Sequence, residues 1–164
     1  MSKPRKQMTL CMFQDPTTGK ILLGMKKRGF GVGRWNGFGG KLELGETPEQ
    51  SAKREVLEEI EVTIKDMELV GHILFSIEGD EKDPEVFIYR VTSWEGQPTE
   101  SEEMAPAWFD VENLPFNQMW QSDTHWFPLF LEGKRFVGET FFNAKHEILN
   151  YSYREGDPTA EIGQ

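Results

Sequence analysis

Three constraints coincide in the short stretch from Gly39 to Val62. Gly39, Gly40 and Gly45 permit close backbone approach that other residues forbid. Thr47 can cap a helix, Pro48 suits its first position, and Gln50 stands where a capping box takes Glu or Gln. This predicts a helix over residues 48–60. On it Ala52, Val56 and Ile60 recur at i, i+4 and i+8, an apolar stripe that can anchor the helix to a sheet. Glu55, Glu58 and Glu59 fall at i, i+3 and i+4 and share one face. Taken alone, such a triplet reads as a solvated face. A divalent cation would offset the repulsion better than water does, because hard cations prefer oxygen ligands. Arg54 precedes Glu58 by four residues and can orient it through a charge-assisted bond.

Strand signals dominate the rest. Residues 10–25 hold two apolar runs around Asp15-Pro16-Thr17-Thr18-Gly19, which predicts a hairpin. Further strands are expected at 62–64, 69–77, 85–91 and 107–109, with a charged loop at 80–84. A second helix is expected over 123–131, and a last hairpin joins 137–142 to 148–153 across residues 143–146. Strands interrupted by two helices indicate an α+β fold with helices on a mixed sheet. A length of 164 residues suits one domain over residues 1–164, with about 1–7 and 157–164 flexible.

The net charge of −10 argues against a nucleic-acid partner, which would need a basic footprint. A small anion remains admissible, because local cations or a metal can offset the field at one site. Lys26-Lys27-Arg28 is such a cluster, although the tripeptide alone reads as a solvated strand end. A lone Cys11 excludes an internal disulfide and fits a reducing compartment, so a cytoplasmic location is expected. No apolar run reaches the roughly 20 residues of a membrane helix. His72, His125 and His146 lack zinc-ligand spacing, and His125 adjoins the 119–123 segment discussed next.

The pattern Gly40-x5-Glu46-x7-Arg54-Glu55-Val56-x-Glu58-Glu59-x-x-Val62 resembles the Nudix box, G-x5-E-x7-R-E-U-x-E-E-x-G-U with U aliphatic. One position departs, because Glu61 replaces the box glycine. In a left-handed conformation Glu61 would cost on the order of 1 kcal/mol; otherwise the helix must end differently. The similarity extends to 24–31, to Gly33-Arg34-Trp35-Asn36-Gly37-Phe38-Gly39-Gly40-Lys41, and to Glu102-Glu103-Met104, Met119-Trp120 and Trp126-Phe127-Pro128-Leu129. Over most of the chain it resembles the animal-type oxidised purine nucleoside triphosphatases, the 8-oxo-dGTP diphosphatases.

That resemblance implies a Nudix-type α/β/α sandwich, Mg2+ as cofactor, a small-molecule nucleotide as substrate and a monomeric state. It implies catalytic Glu55, Glu58 and Glu59, with the Gly39 carbonyl and Glu103 joining them at the metal. Lys26 matches a phosphate-side residue. Thr9, Phe30, Asn36, Phe75, Met104, Trp120 and Asp123 match the base pocket, and Phe38, Gly39, Gly40, Lys41, Gln121 and Ser122 adjoin these as expected substrate contacts. Apolar side chains suit a planar purine, while Asn36 and Asp123 can address its polar edge. The family has two adjacent aspartates after its Met-Trp pair, and Ser122 here replaces the first, so a shift in purine preference is expected. The rivals are a Nudix hydrolase of another nucleotide, such as O6-methyl-dGTP, a canonical triphosphate or a dinucleoside polyphosphate, and a Nudix module that senses a nucleotide without cleaving it.

Overall fold

The computed structural model describes residues 3–160. Its strands are β1 (Arg5–Gln14), β2 (Ile21–Lys26), β3 (Trp35–Asn36), β4 (Thr63–Ile77), β5 (Asp83–Glu95), β6 (Met104–Phe109), β7 (Phe136–Phe142) and β8 (Ile148–Glu155). The helices are α1 (Pro48–Ile60) and α2 (Asp123–Leu131). The sheet runs β3-β2-β1-β5-β4-β7-β8, with β6 also paired to β2. It is mixed: β1 with β5 and β4 with β7 are parallel, and the other pairs are antiparallel.

Alternation along the central strands divides the core in two. Cys11 and Phe13 face one side, where they bury with Leu22, Val91 and the α1 stripe of Ala52, Val56 and Ile60. Met12 faces the other side with Leu23, Ile88 and the α2 residues Trp126 and Phe130. Helices thus cover both faces, the expected α/β/α arrangement. No helix of the described residues is long and apolar enough to cross a membrane.

The α1 boundaries match the reading from sequence. Thr47 Oγ1 accepts from the Gln50 N–H at 3.2 Å, and Gln50 Oε1 accepts from the Thr47 N–H at 3.0 Å, a complete capping box. Several strands run longer than expected. Residues 63–77, expected as two separate strands, form one strand, β4, whose register shifts around Asp66 and Leu69 mask its continuity. Asp83 and Pro84, expected in a loop, open β5. There Asp83 accepts from the Ile77 N–H and pairs with Lys3 at 2.9 Å. β6 begins at Met104 and tolerates Pro106 because it borders β2 on one side only. The short β3 lies in the Gly-rich segment, where side-chain periodicity gives no signal. Of the N-terminal stretch expected to be flexible, Arg5, Lys6 and Gln7 pair with β5. At the other end Asp157 pairs with Arg135 at 3.3 Å. Residues 1, 2 and 161–164 of those two tails lie outside the described residues.

Glu61 takes the left-handed conformation, φ 59° and ψ 36°, and its N–H closes α1 on the Leu57 carbonyl. Glu61→Gly relieves that strain, and urea unfolding is expected to show a gain of about 1 kcal/mol.

Candidate functional site

Two glycines bring the loop backbone against the carboxylate helix. Residues 36–41 are stitched to β1 by the bridges Met8↔Lys41 and Cys11↔Phe38, and the Thr9 N–H donates to the Gly40 carbonyl at 2.9 Å. A Cβ on Gly39 would lie 2.0 Å from the Thr9 carbonyl oxygen, and one on Gly40 would lie 2.7 Å from the Glu55 carboxylate. Only glycine passes there. The Gly39 N–H then donates to Glu59 Oε1 at 2.9 Å.

The three glutamates have different surroundings. Glu59 is buried at 3 % exposure. Burial first, and then the charge of Glu55, push its carboxyl up to about 8, against the Gly39 N–H. Glu55 is half-buried and also raised, chiefly by burial, with Arg54 pulling the other way. Glu58 is exposed. Arg54 serves more partners than the one expected. Its Nε and Nη2 donate to the two oxygens of Glu46 at 2.7 and 2.9 Å, and its Nη1 donates to Glu55 at 2.9 Å. Glu58 is a marginal partner at 3.4 Å. The fork holds the Glu46 carboxyl down to about 2, helped by the Glu43 N–H.

Among the described residues no three His, Cys, Asp or Glu side chains converge into a ready-made ion site. The donor set nevertheless suits a hard cation. Glu55 sits close enough to raise Glu59, Glu58 raises Glu55, and Glu103 adds to both. A divalent ion would relieve that crowding.

Glu103 lies on an acidic loop facing Lys26-Lys27-Arg28. Lys26 Nζ stands 3.5 Å from Glu103, Lys27 Nζ 2.6 Å from Glu100, and Arg28 3.1 Å from Glu102 and 3.8 Å from Glu103. The basic tripeptide is therefore paired, not a simply solvated strand end. Its position beside Glu59 shows in the pull of Lys26 on that carboxyl.

The residues expected around a base divide between the two faces of the sheet. Phe30 and Trp120 stack at 5.2 Å and 23°, and Arg34 lies 4.4 Å from the Trp120 ring. Phe30 is 81 % exposed, so the pair forms an open aromatic surface. Phe75 packs with the α2-side core and stacks on Phe142 at 6.0 Å. Asp123 opens α2 and is buried, with the Trp126 Nε1–H donating to its Oδ1 at 3.2 Å and no hydrogen-bond partner on Oδ2. Ser122 precedes it, buried, and makes no capping bond. Gln121 and Lys41 are exposed. Asn36 gives its Oδ1 to the Gly37 N–H, which leaves its amide N–H2 to donate elsewhere.

Three more of the expected substrate contacts are buried. Phe38 is fully buried against Phe13 on the α1 side, so its side chain is core and only its backbone borders the site. Met104 is 4 % exposed in the same cluster, packed over Gly24. Thr9 is likewise buried and follows Cys11 by alternation to the α1 side. Sequence reasoning missed the Arg34–Trp120 contact and the pairing of 26–28 with 100–103. Opposite charge in two distant segments was the only available signal for the latter.

Residues 4–130 match the NUDIX domain family model. The chain is 50% identical over 149 residues to the mouse oxidized purine nucleoside triphosphate hydrolase, covering 91% of this chain and 94% of that protein. It is 47% identical over 150 residues to the zebrafish protein of the same name, covering 92% and 95%. Among solved structures it is similar to a MutT mutator protein from Bacillus halodurans, with a TM-score of 0.78 at 29% identity, covering 90% of this chain and 97% of that one.

Burial raises the Asp123 carboxyl from its ordinary 3.8 to about 7, more strongly than the Trp126 bond lowers it. The unfolded chain releases this proton near 3.8, while the folded chain holds it to about 7. The associated stability is therefore full at low pH and lost as pH rises between those values. Asp123→Asn removes this dependence. Urea unfolding from pH 4 to pH 8 is expected to show wild type losing stability relative to the variant up to about pH 7 and no further divergence above it.

Proposed function

This chain belongs to the Nudix family, and from that premise we propose that it hydrolyses oxidised purine nucleoside triphosphates, such as 8-oxo-dGTP or 2-oxo-dATP, to monophosphate and pyrophosphate, cleansing the nucleotide pool. The observation that carries this reading is the meeting of Gly39, Gly40, Glu55 and Glu59, within a chain half identical to enzymes so named over nearly its full length.

Bound Mg2+ would supply charge neutralisation at the phosphates and polarise phosphorus toward attack. Glu55, Glu58, Glu59, Glu103 and the Gly39 carbonyl would hold it. The side chains do the remaining work. Glu58 or Glu59 takes the proton of the attacking water. Glu58 is the exposed one, whereas Glu59 has one oxygen fixed on the Gly39 N–H. Lys26 neutralises a phosphate oxygen once Glu103 releases it. Phe30 and Trp120 cover a base face, with Phe75 at its flank. Asn36 donates to the base edge, and Asp123 accepts from or donates to it through Oδ2. The protein acts as a monomeric single domain in the cytoplasm.

Pyrophosphate release from 8-oxo-dGTP tests the reading. Turnover is expected with Mg2+ and to vanish on chelation, and Glu58→Ala is expected to lower kcat by about 10²-fold or more. Absence of metal-dependent turnover on any nucleotide would instead favour a sensing module.

Ser122 bears on which purine is preferred. Two neighbouring acids can share a proton and so address different base edges. A serine hydroxyl donates and accepts but carries no titrating charge. Relative kcat/KM on 8-oxo-dGTP, 2-oxo-dATP and O6-methyl-dGTP is expected to differ between wild type and Ser122→Asp, with the variant acting on the wider set. Matching profiles would rule out a role for Ser122 in selectivity.

A further inference from the structure

Helix α2 starts without a side-chain cap. Ser122 already has helical φ and ψ of −61° and −23°, and its side chain bonds no first-turn N–H. The helix has nine residues, and one of them is Pro128. Its first turn nevertheless carries Asp123, whose orientation must be held. Part of the hold is Trp126, buried against Phe136 with its Nε1–H on Asp123.

The other part comes from the outermost strand. His125 stacks face to face on Tyr151 of β8, ring centroids 3.6 Å apart and planes 9° from parallel, with Tyr153 at 6.0 Å. The Tyr153 hydroxyl is hydrogen-bonded to Thr140 of β7. Thr140 lies opposite Tyr151 on one side and opposite Phe75 on the other. Phe75, Thr140 and Tyr151 therefore form one row across β4, β7 and β8 on the α2 face. Tyr151 is 51 % exposed, so its ring adds little to the core.

We propose that the His125–Tyr151 stack, backed by the Tyr153–Thr140 hydroxyl pair, positions Asp123 against the purine, so that β8 sets base selectivity while remaining apart from phosphate and from the carboxylate helix. This rests on the reading above that Asp123 addresses the base. The N–H groups of Asp123, Thr124 and His125 bond back to the carbonyls of Trp120, Gln121 and Ser122, so these bonds tie the turn to its own segment and not to the sheet. Hydrogen bonds weaken steeply with angle, so a small rotation of that turn degrades base reading before it affects the chemistry. Tyr151, Tyr153 and His125 are positioning residues in this scheme.

Steady-state kinetics with Mg2+ on 8-oxo-dGTP and dGTP test it in wild type, Tyr151→Ala, Tyr151→Phe, His125→Phe and Asp123→Asn. Tyr151→Ala is expected to raise KM for 8-oxo-dGTP roughly fivefold, in line with the loss of one aromatic stack. Selectivity over dGTP falls by a similar factor while kcat holds. Tyr151→Phe and His125→Phe keep the stack and are expected to retain wild-type selectivity. If Asp123→Asn loses selectivity while Tyr151→Ala keeps it, the proposal is overturned and the base reading stands. If Asp123→Asn itself keeps selectivity, the base reading fails and the proposal with it. A fall in kcat for Tyr151→Ala at unchanged KM and selectivity marks a general structural role and also overturns it.

Discussion

The hydrogen bond from the Gly39 N–H to Glu59 exists only where the backbone runs closer to β1 than any side chain allows. Remove that closeness and the loop lifts from Thr9, the Gly40 contact with Glu55 opens, and α1 loses the donor that meets its buried carboxylate. Most of the site geometry follows from this approach. It sets the depth at which Glu55 and Glu59 sit and hence the burial that raises both. Arg54 braces the same unit from outside by joining Glu46, at the end of the loop, to Glu55 on the helix. The loop and helix form a closed bracket with carboxylates inside it.

Much of this bracket was legible in the sequence because its signals are local. The capping box, the apolar stripe and the i, i+3, i+4 acids act within about one turn, and α1 matches its expected limits. The second helix and the last hairpin were legible for the same reason. What was not legible depends on distant partners. Continuity of β4 through Lys65, Asp66 and Glu68 is set by pairing with β5, which tolerates polar residues on an open face. Phe38 carries the same side chain whether it lines a slot or fills a core, and only its contact with Phe13 decides between them. Met104 follows the same logic over Gly24. The preference of Arg54 for Glu46 over Glu58 reflects planar fork geometry, which spacing along a helix does not encode.

A chain with net charge −10 that handles polyanions needs its field corrected locally. The structure does this with few cations. Lys26, Lys27 and Arg28 stand together on one lip, each balanced by an acid from residues 100–103. These are exposed or half-exposed pairs, so each contributes little to stability. Their importance is that the cations are held in place while remaining available for exchange.

The division of the core by the central sheet has a consequence for how such an enzyme can diverge. The carboxylate bracket packs on one face, and Phe75 with the first turn of α2 belongs to the other. Substitutions under α2 reach the bracket only through strands whose backbone hydrogen bonds do not depend on side-chain identity. Recognition can therefore drift while the hydrolytic machinery is conserved, and Ser122 stands on the side of the partition where such drift is tolerated.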